Sequence, residues 1–366
     1  MDLFYEIALT QVPKLGLKRV RVLLDTFGSA EAVFAAPRDA FDNTGPVQKY
    51  LFDEHGRGEA MRRAEKEMEF ISKNSINAIH ITDSRYPYRL AQCSDAPVIL
   101  YTVGSDTFPS KHYVAVVGTR SCTAYGRNIT EKFVRELAAM LPDVTIVSGL
   151  AYGIDVCSHK AALENGATTI GVVAHGLDMI YPPAHRSVAA TIVERGGVIV
   201  TEYISKTWPE AGNFVQRNRI IAGLCDAVVV VESAIKGGAL LTAKAAGGYS
   251  RDVFAFPGRV GDKASAGCNM LLRTMQAGLI ESAEDLVKAE RWEAVRRETE
   301  QPLFAPEMKE EYKQIYDALK GETLHIADLA LKVNMKTAAL MPLLIEMEME
   351  GIIEGIAGGR YRNVIL

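Results

Sequence analysis

The stretch Val114–Gly126, "VAVVGTRSCTAYG", decides the fold. A short apolar run rich in valine ends at Gly118, a polar loop follows, and a segment of helix length opens near Gly126. An apolar run without polar alternation is the mark of a strand covered on both faces. The same grammar recurs downstream as "VTIVSG" (144–149), "TIGVVAHG" (169–176), "VIVTE" (198–202), "DAVVVVE" (226–232) and "DVFAFPG" (252–258). Each run is followed by an amphipathic segment of helix length, which predicts a doubly wound α/β domain built on a parallel sheet. Residues 77–104 read as further strand and turn material leading into that sheet.

Working outward, residues 1–73 read as a helical domain, with Gly16 and Gly28 as turns between helices. Such a hairpin of helices can offer Lys18 or Arg19 to a phosphate, or serve as a packing module alone. On the other side, the α/β domain is expected over 74–290 and a charged linker carrying Pro302 and Pro306 over 291–306. Residues 307–366 give helix, turn, helix, turn, helix and a Gly358–Gly359 hairpin tip, the order of a winged helix. Its candidate recognition helix, "MKTAALMPLLIEMEMEG", contains Pro342 and turns acidic toward its end. Major-groove readers need Arg, Lys, Asn or Gln at base edges, so a protein-contact or accessory role is expected.

With 366 residues, 48% of them hydrophobic, the chain can bury a large core. The most apolar run, Ile220–Val231, is too short for a bilayer and contains Asp226, and the N-terminal "MDLFYEIALT" is acidic where a signal peptide is basic. A cytoplasmic protein without membrane contact is expected. Five cysteines without a CxxC pair indicate neither a disulfide framework nor a zinc cage. The net charge of -4 divides as 13 basic against 15 acidic residues over 1–110, 18 against 17 over 111–290, and 10 against 13 over 291–366. No domain is strongly basic, so any polyanion site has to be local.

In an open parallel sheet, ligands sit beyond the carboxyl ends of the strands. The polar loops fall there: "GTRSCTAYG" (118–126), "SGLAYGIDVCSH" (148–159), "HGLDMIYPPAHR" (175–186), "GNFVQRNR" (212–219) and "ESAIKGGALLTAKAA" (232–246). Dinucleotide, P-loop, GxSxG and HExxH patterns are absent. Asp155 and His159, four residues apart, are the one candidate dyad, and a structural Asp at a helix start is the commoner explanation. What remains is a rim of donors: Arg120 at the first loop, Arg217, Asn218 and Arg219 at a helix start, Lys244, the amides of Gly118, Gly149 and Gly238, and Phe214 and Tyr152 as stacking faces. Cations along a backbone with aromatic faces between them hold single strands without sequence preference. One of Arg217 and Arg219 is expected to pair instead with Glu202 or Glu232.

These ordered blocks, from "SRYPYRL" through "AVVGTRSCTAYG", "SGLAYGIDVCSHKAAL", "HGLDMIYP", "FVQRNRIIAGL" and "GGALLTAKAA" to "VFAFPG", resemble the DNA-processing protein A (DprA/Smf) family over about Asp83–Val287. The resemblance implies an extended Rossmann-like domain, flanked by a helical (helix-hairpin-helix or SAM-like) domain and a winged helix. It further implies a non-enzymatic mediator without cofactor that binds single-stranded DNA, forms a homodimer and helps load the RecA recombinase during natural transformation. Carried over by position, the nucleic-acid contacts would be Gly118, Thr119, Arg120, Ser148, Gly149, Gly153, Phe214, Arg217, Asn218, Arg219, Gly238 and Lys244. Val215 stands where the family usually has Pro, and in "YPPAHR" His185 or Arg186 would have to replace a basic contact. A competing class is a nucleotide phosphoribohydrolase of the same fold, but Lys244 or Ala245 stands where its catalytic glutamate is needed. A third, a duplex-DNA regulator acting through the winged helix, predicts tighter binding to duplex than to single strand.

Overall fold

The valine run of the opening stretch forms the middle of a nine-stranded sheet in the computed structural model, which describes residues 3–41, 47–108, 110–294, 309–320, 322–350, 352–356 and 358–363. In chain order the strands are β1 (Asn77–His80), β2 (Ile99–Gly104), β3 (His112–Gly118), β4 (Val144–Ser148), β5 (Thr168–Val172), β6 (Val198–Thr201), β7 (Ala227–Glu232), β8 (Asp252–Ala255) and β9 (Gly278–Leu279). Their spatial order is β1-β2-β6-β5-β4-β3-β7-β8-β9. Pairing is parallel from β6 across to β9, while β2 joins β6 antiparallel with Thr102 opposite Val200. The chain winds from β3 outward to β6, then crosses back to lay β7 against the other side of β3. This reversal opens a crevice at the carboxyl ends of β3 and β7.

Successive side chains of β3 point to opposite faces and feed two cores. Tyr113, Ala115 and Val117 join Ile220, Ile221 and Leu224 of helix Ala211–Leu224 and Ala239, Ala243 and Ala246 of helix Ala239–Gly248. Val114 and Val116 meet Phe133, Val134 and Leu137 of helix Ala124–Met140 and Ile154 and Ala161 of helix Ile154–Glu164. The expected helical region folds as helices Leu3–Gln11, Gly16–Phe27, Ala30–Ala35 and Glu54–Lys73, with the short segments Arg38–Phe41 and Val47–Leu51 between them. Its core, with Ile7, Leu23 and Phe41, is continuous with Ile99 and Tyr101 of β2 and with Ile204, so this layer covers the β2 end of the sheet.

Two compact units emerge, Met1–Val295 and Arg296–Leu366. Of the expected linker 291–306, residues 295–306 lie outside the described residues. The second unit has helices Glu310–Ala318, Ile326–Lys332 and Thr337–Met349, and a three-stranded sheet in which Arg360–Asn363 lies between Leu324–His325 and Ile353–Ile356. It closes on its own core of Tyr312, Ile315, Leu329, Leu340, Leu344 and Met347. Helix Thr337–Met349 holds Pro342 and exposes Met341, Ile345 and Met349.

Candidate nucleic-acid interface

Beyond the ends of β3 and β7 lies a cavity of about 480 Å³. The loop after β3 brings Gly118, Thr119 and Arg120, helix Ala211–Leu224 brings Phe214, Arg217 and Asn218, and the first turn of helix Ala239–Gly248 brings Gly238 and Thr242. Seven residues expected from sequence therefore share one wall: Gly118, Thr119, Arg120, Phe214, Arg217, Asn218 and Gly238.

Their roles differ. Arg120 is exposed, and its guanidinium carbon stands 4.8 Å from the centre of the Phe214 ring. Among the described residues no carboxylate lies at ion-pair distance from Arg120, which leaves its donors for a ligand. The Tyr181 ring, 43% exposed, approaches Phe214 at 6.0 Å, and the 49% exposed Tyr152 ring meets His185 edge-on at 4.9 Å. Tyr181 was not singled out from the sequence. "MIYPP" reads as loop, and only the fold carries that loop to within reach of Phe214.

Arg217 faces inward, against the expectation that it would stand at the rim. It is 3% exposed, and its Nη1 donates to Gly149 O at 2.7 Å and to Val172 O, the last residue of β5. Its Nε reaches Asn218 Oδ1 at 3.3 Å, and Asn218 Nδ2 reaches Gly238 O at 3.4 Å. Burial pulls the guanidinium down to about 10, with the Asp155 charge opposing. Burial likewise raises the Asp155 carboxyl, opposed by Arg217, the Gly149 and Ala151 amides and the Ser148 hydroxyl. The physical reason is register: two carbonyls at the ends of adjacent loops have no partner unless a long donor fills the gap between them. Arg217 does so, and Gly149 leaves it room, since a Cβ there would sit 2.6 Å from the guanidinium.

Arg219, two residues on, points the other way, because positions two apart do not share a helix face. It pairs with Glu202 and donates to Asp95 O at 2.6 Å. Glu232, the other partner considered, instead accepts from Thr123 N at 2.8 Å and Thr123 Oγ1 at 2.7 Å, holding the start of helix Ala124–Met140.

The remaining expected residues lie outside the cavity wall. Ser148 is buried and donates to Val116 O at 2.7 Å. Gly153 has φ +76°, and a Cβ there would fall 2.1 Å from Thr119 O, so it is the close packing point of two loops. His185 is buried with Nδ1 2.8 Å from Leu150 O, which leaves Arg186 as the exposed cation of that loop. Lys244 lies exposed on helix Ala239–Gly248, beyond the turn that lines the cavity. His159 is fully buried with Nδ1 2.7 Å from Thr169 Oγ1, and burial drives it down to about 3, so it belongs to the interior. Among the described residues no cluster of His, Cys, Asp and Glu could hold a metal ion, and no helix is long and apolar enough to cross a membrane.

Comparisons with known proteins agree with this architecture. The description "DNA recombination-mediator protein A" covers residues 77–291, and "DprA winged helix domain" covers residues 298–359. The Smf protein of Escherichia coli is 33% identical over 283 residues, which is 76% of this chain and 75% of that protein. The X-ray structure of DNA processing protein A from Streptococcus pneumoniae is 33% identical with a TM-score of 0.64, over 78% of this chain and 97% of that one. DNA processing protein A from Helicobacter pylori, whose structure concerns its single-stranded DNA binding mode, is 30% identical with a TM-score of 0.51, over 58% of this chain and 94% of that one. The matched ranges, the sequence identities and the shared fold point the same way: the chain belongs to the DNA recombination-mediator protein A family, the DprA/Smf proteins.

Proposed function

We propose that the cavity between the ends of β3 and β7 binds single-stranded DNA, and that the protein, as a homodimer, uses this grip to help load the RecA recombinase onto the strand. The observation that carries the reading is Arg120, an unpaired exposed guanidinium at 4.8 Å from an aromatic ring in a crevice lined by amides. Arg120 and Thr119 meet phosphate oxygens, the Gly238 end of helix Ala239–Gly248 adds backbone donors, and Phe214, Tyr181 and Tyr152 offer faces to bases. Arg217 positions this wall from behind without touching the ligand. Arg186 and Lys244 extend the cationic rim. The role is non-catalytic: the carboxylate lining the cavity, Asp155, is occupied by amides and by the Ser148 hydroxyl. The Helicobacter pylori relative, whose structure concerns its single-stranded DNA binding mode, supports the same assignment.

The test is Arg120→Ala. Fluorescence anisotropy with a short oligothymidylate should show an affinity loss of roughly ten- to a hundredfold, the scale of one charge-assisted contact plus one stacking partner. Recombinase nucleation on protein-coated strands should fall in parallel. An unchanged affinity in a folded variant would remove the assignment.

A further inference from the structure

Helix Ala211–Leu224 separates two cavities. Phe214, Arg217 and Asn218 face the one already described, whereas Asn213, Gln216 and Arg219 line a second, of about 800 Å³, on its other flank. The opposite wall of the second cavity is the N-terminal hairpin, with Gly16, Lys18 and Arg19 at the start of helix Gly16–Phe27. Its two carboxylates are only partly engaged: Glu202 pairs with Arg219 through Oε2 while its Oε1 is buried without a hydrogen-bond partner, and Asp95 Oδ1 accepts from Tyr249 OH at 2.6 Å. Arg19 is turned to the hairpin carbonyls, donating to Lys14 O at 3.2 Å. Lys18 is exposed, and among the described residues it has no carboxylate at ion-pair distance. Gln216 is exposed on the same side. Tyr203, partly exposed, supplies the aromatic ring of this lining, its OH donating to Asn213 O at 3.4 Å.

We infer that the second cavity takes the continuation of the same single strand, with Lys18 on a phosphate, Gln216 donating to the sugar–phosphate backbone and Tyr203 against a base. This rests on the reading of the first cavity as a single-strand site. The two cavities lie one helix thickness apart, about 10 Å, a gap that a few nucleotides cross. A cation, an amide donor and an aromatic face around one groove repeat the chemistry of the first cavity, and that repetition selects a polynucleotide over an isolated small anion. The N-terminal hairpin thereby becomes part of the DNA path, lengthening the footprint without adding sequence readout.

The experiment compares oligothymidylates of about two and about thirty nucleotides, chosen to fill one cavity or both. Lys18→Glu and Gln216→Glu, both surface changes, should each weaken the long strand about fivefold or more and leave the short one within about twofold, with the log–log salt slope on the long strand shallower by about 0.7 for Lys18→Glu. Lys66→Glu, an exposed charge reversal on helix Glu54–Lys73 outside both cavities, should do neither. If both variants bind the long strand as the parent does while Arg120→Ala weakens both lengths, the second station is refuted and the first stands. An equal loss from Lys66→Glu also refutes it, since the effect would then be one of overall charge. If Arg120→Ala leaves the short strand unaffected, the underlying site assignment falls.

Discussion

Arg217 and Arg120 show how far one residue type can divide in role within one wall. Arg217 satisfies the carbonyls of Gly149 and Val172 and offsets the charge of Asp155, so Arg217→Met should leave two buried acceptors and a buried carboxylate unmatched. A loss of about 3–5 kcal/mol is expected by urea denaturation. Arg120→Ala, at an exposed site, should stay within about 0.5 kcal/mol of the parent. Equal stability losses would contradict the division. The sequence exposed part of this. An arginine pair flanking an asparagine implies that at least one member has an internal partner, and Arg219 with Glu202 fulfils the expected pairing. That Arg217 is the buried one was not legible, because its partners are main-chain carbonyls of loops 45 and 68 residues away. Carbonyls carry no side-chain signature.

At the scale of elements, β3 to β8 were legible because valine-rich runs ending in glycine or a polar residue leave little alternative to a doubly covered strand. The two-residue β9 and the direction of β2 were not, since the antiparallel pairing of Thr102 with Val200 depends on a segment a hundred positions downstream. The opposite end of the sheet carries a pH-sensitive feature. Glu290 closes helix Ala283–Ala289, and burial first, then the Asp252 and Asp226 charges, push its carboxyl from 4.5 up to about 7. Because the folded value lies above the unfolded one, its stabilising contribution is full below about pH 4.5 and is lost as pH rises through 7. Glu290→Gln removes that loss. The variant should gain about 1–2 kcal/mol on the parent between pH 5 and pH 8, after allowance for solvent screening of a partly exposed group. Parallel stability–pH profiles for the two proteins would show that Glu290 does not titrate in this window.

For the whole molecule, a net charge of -4 means that attraction for a polyanion comes from a few placed cations, while the rest of the surface is neutral or repels. With Arg217 buried and Arg219 paired, the β3–β7 cavity offers few free charges, so a short oligonucleotide should give a log–log salt slope of only about -1 to -2. A slope near -5 in a titration series would mean that many more phosphates are neutralised than this cavity can reach. The second unit has a core of its own and exposes apolar residues along its third helix. The tether made by Arg217 has a kinetic corollary. Because it ties the β4 and β5 loops to helix Ala211–Leu224, the socket is already shaped, and on the proposed function docking of a strand would require little ordering of the protein. Successive strands would then meet an unchanged template, and how long each one stayed would be governed by the few contacts at the rim.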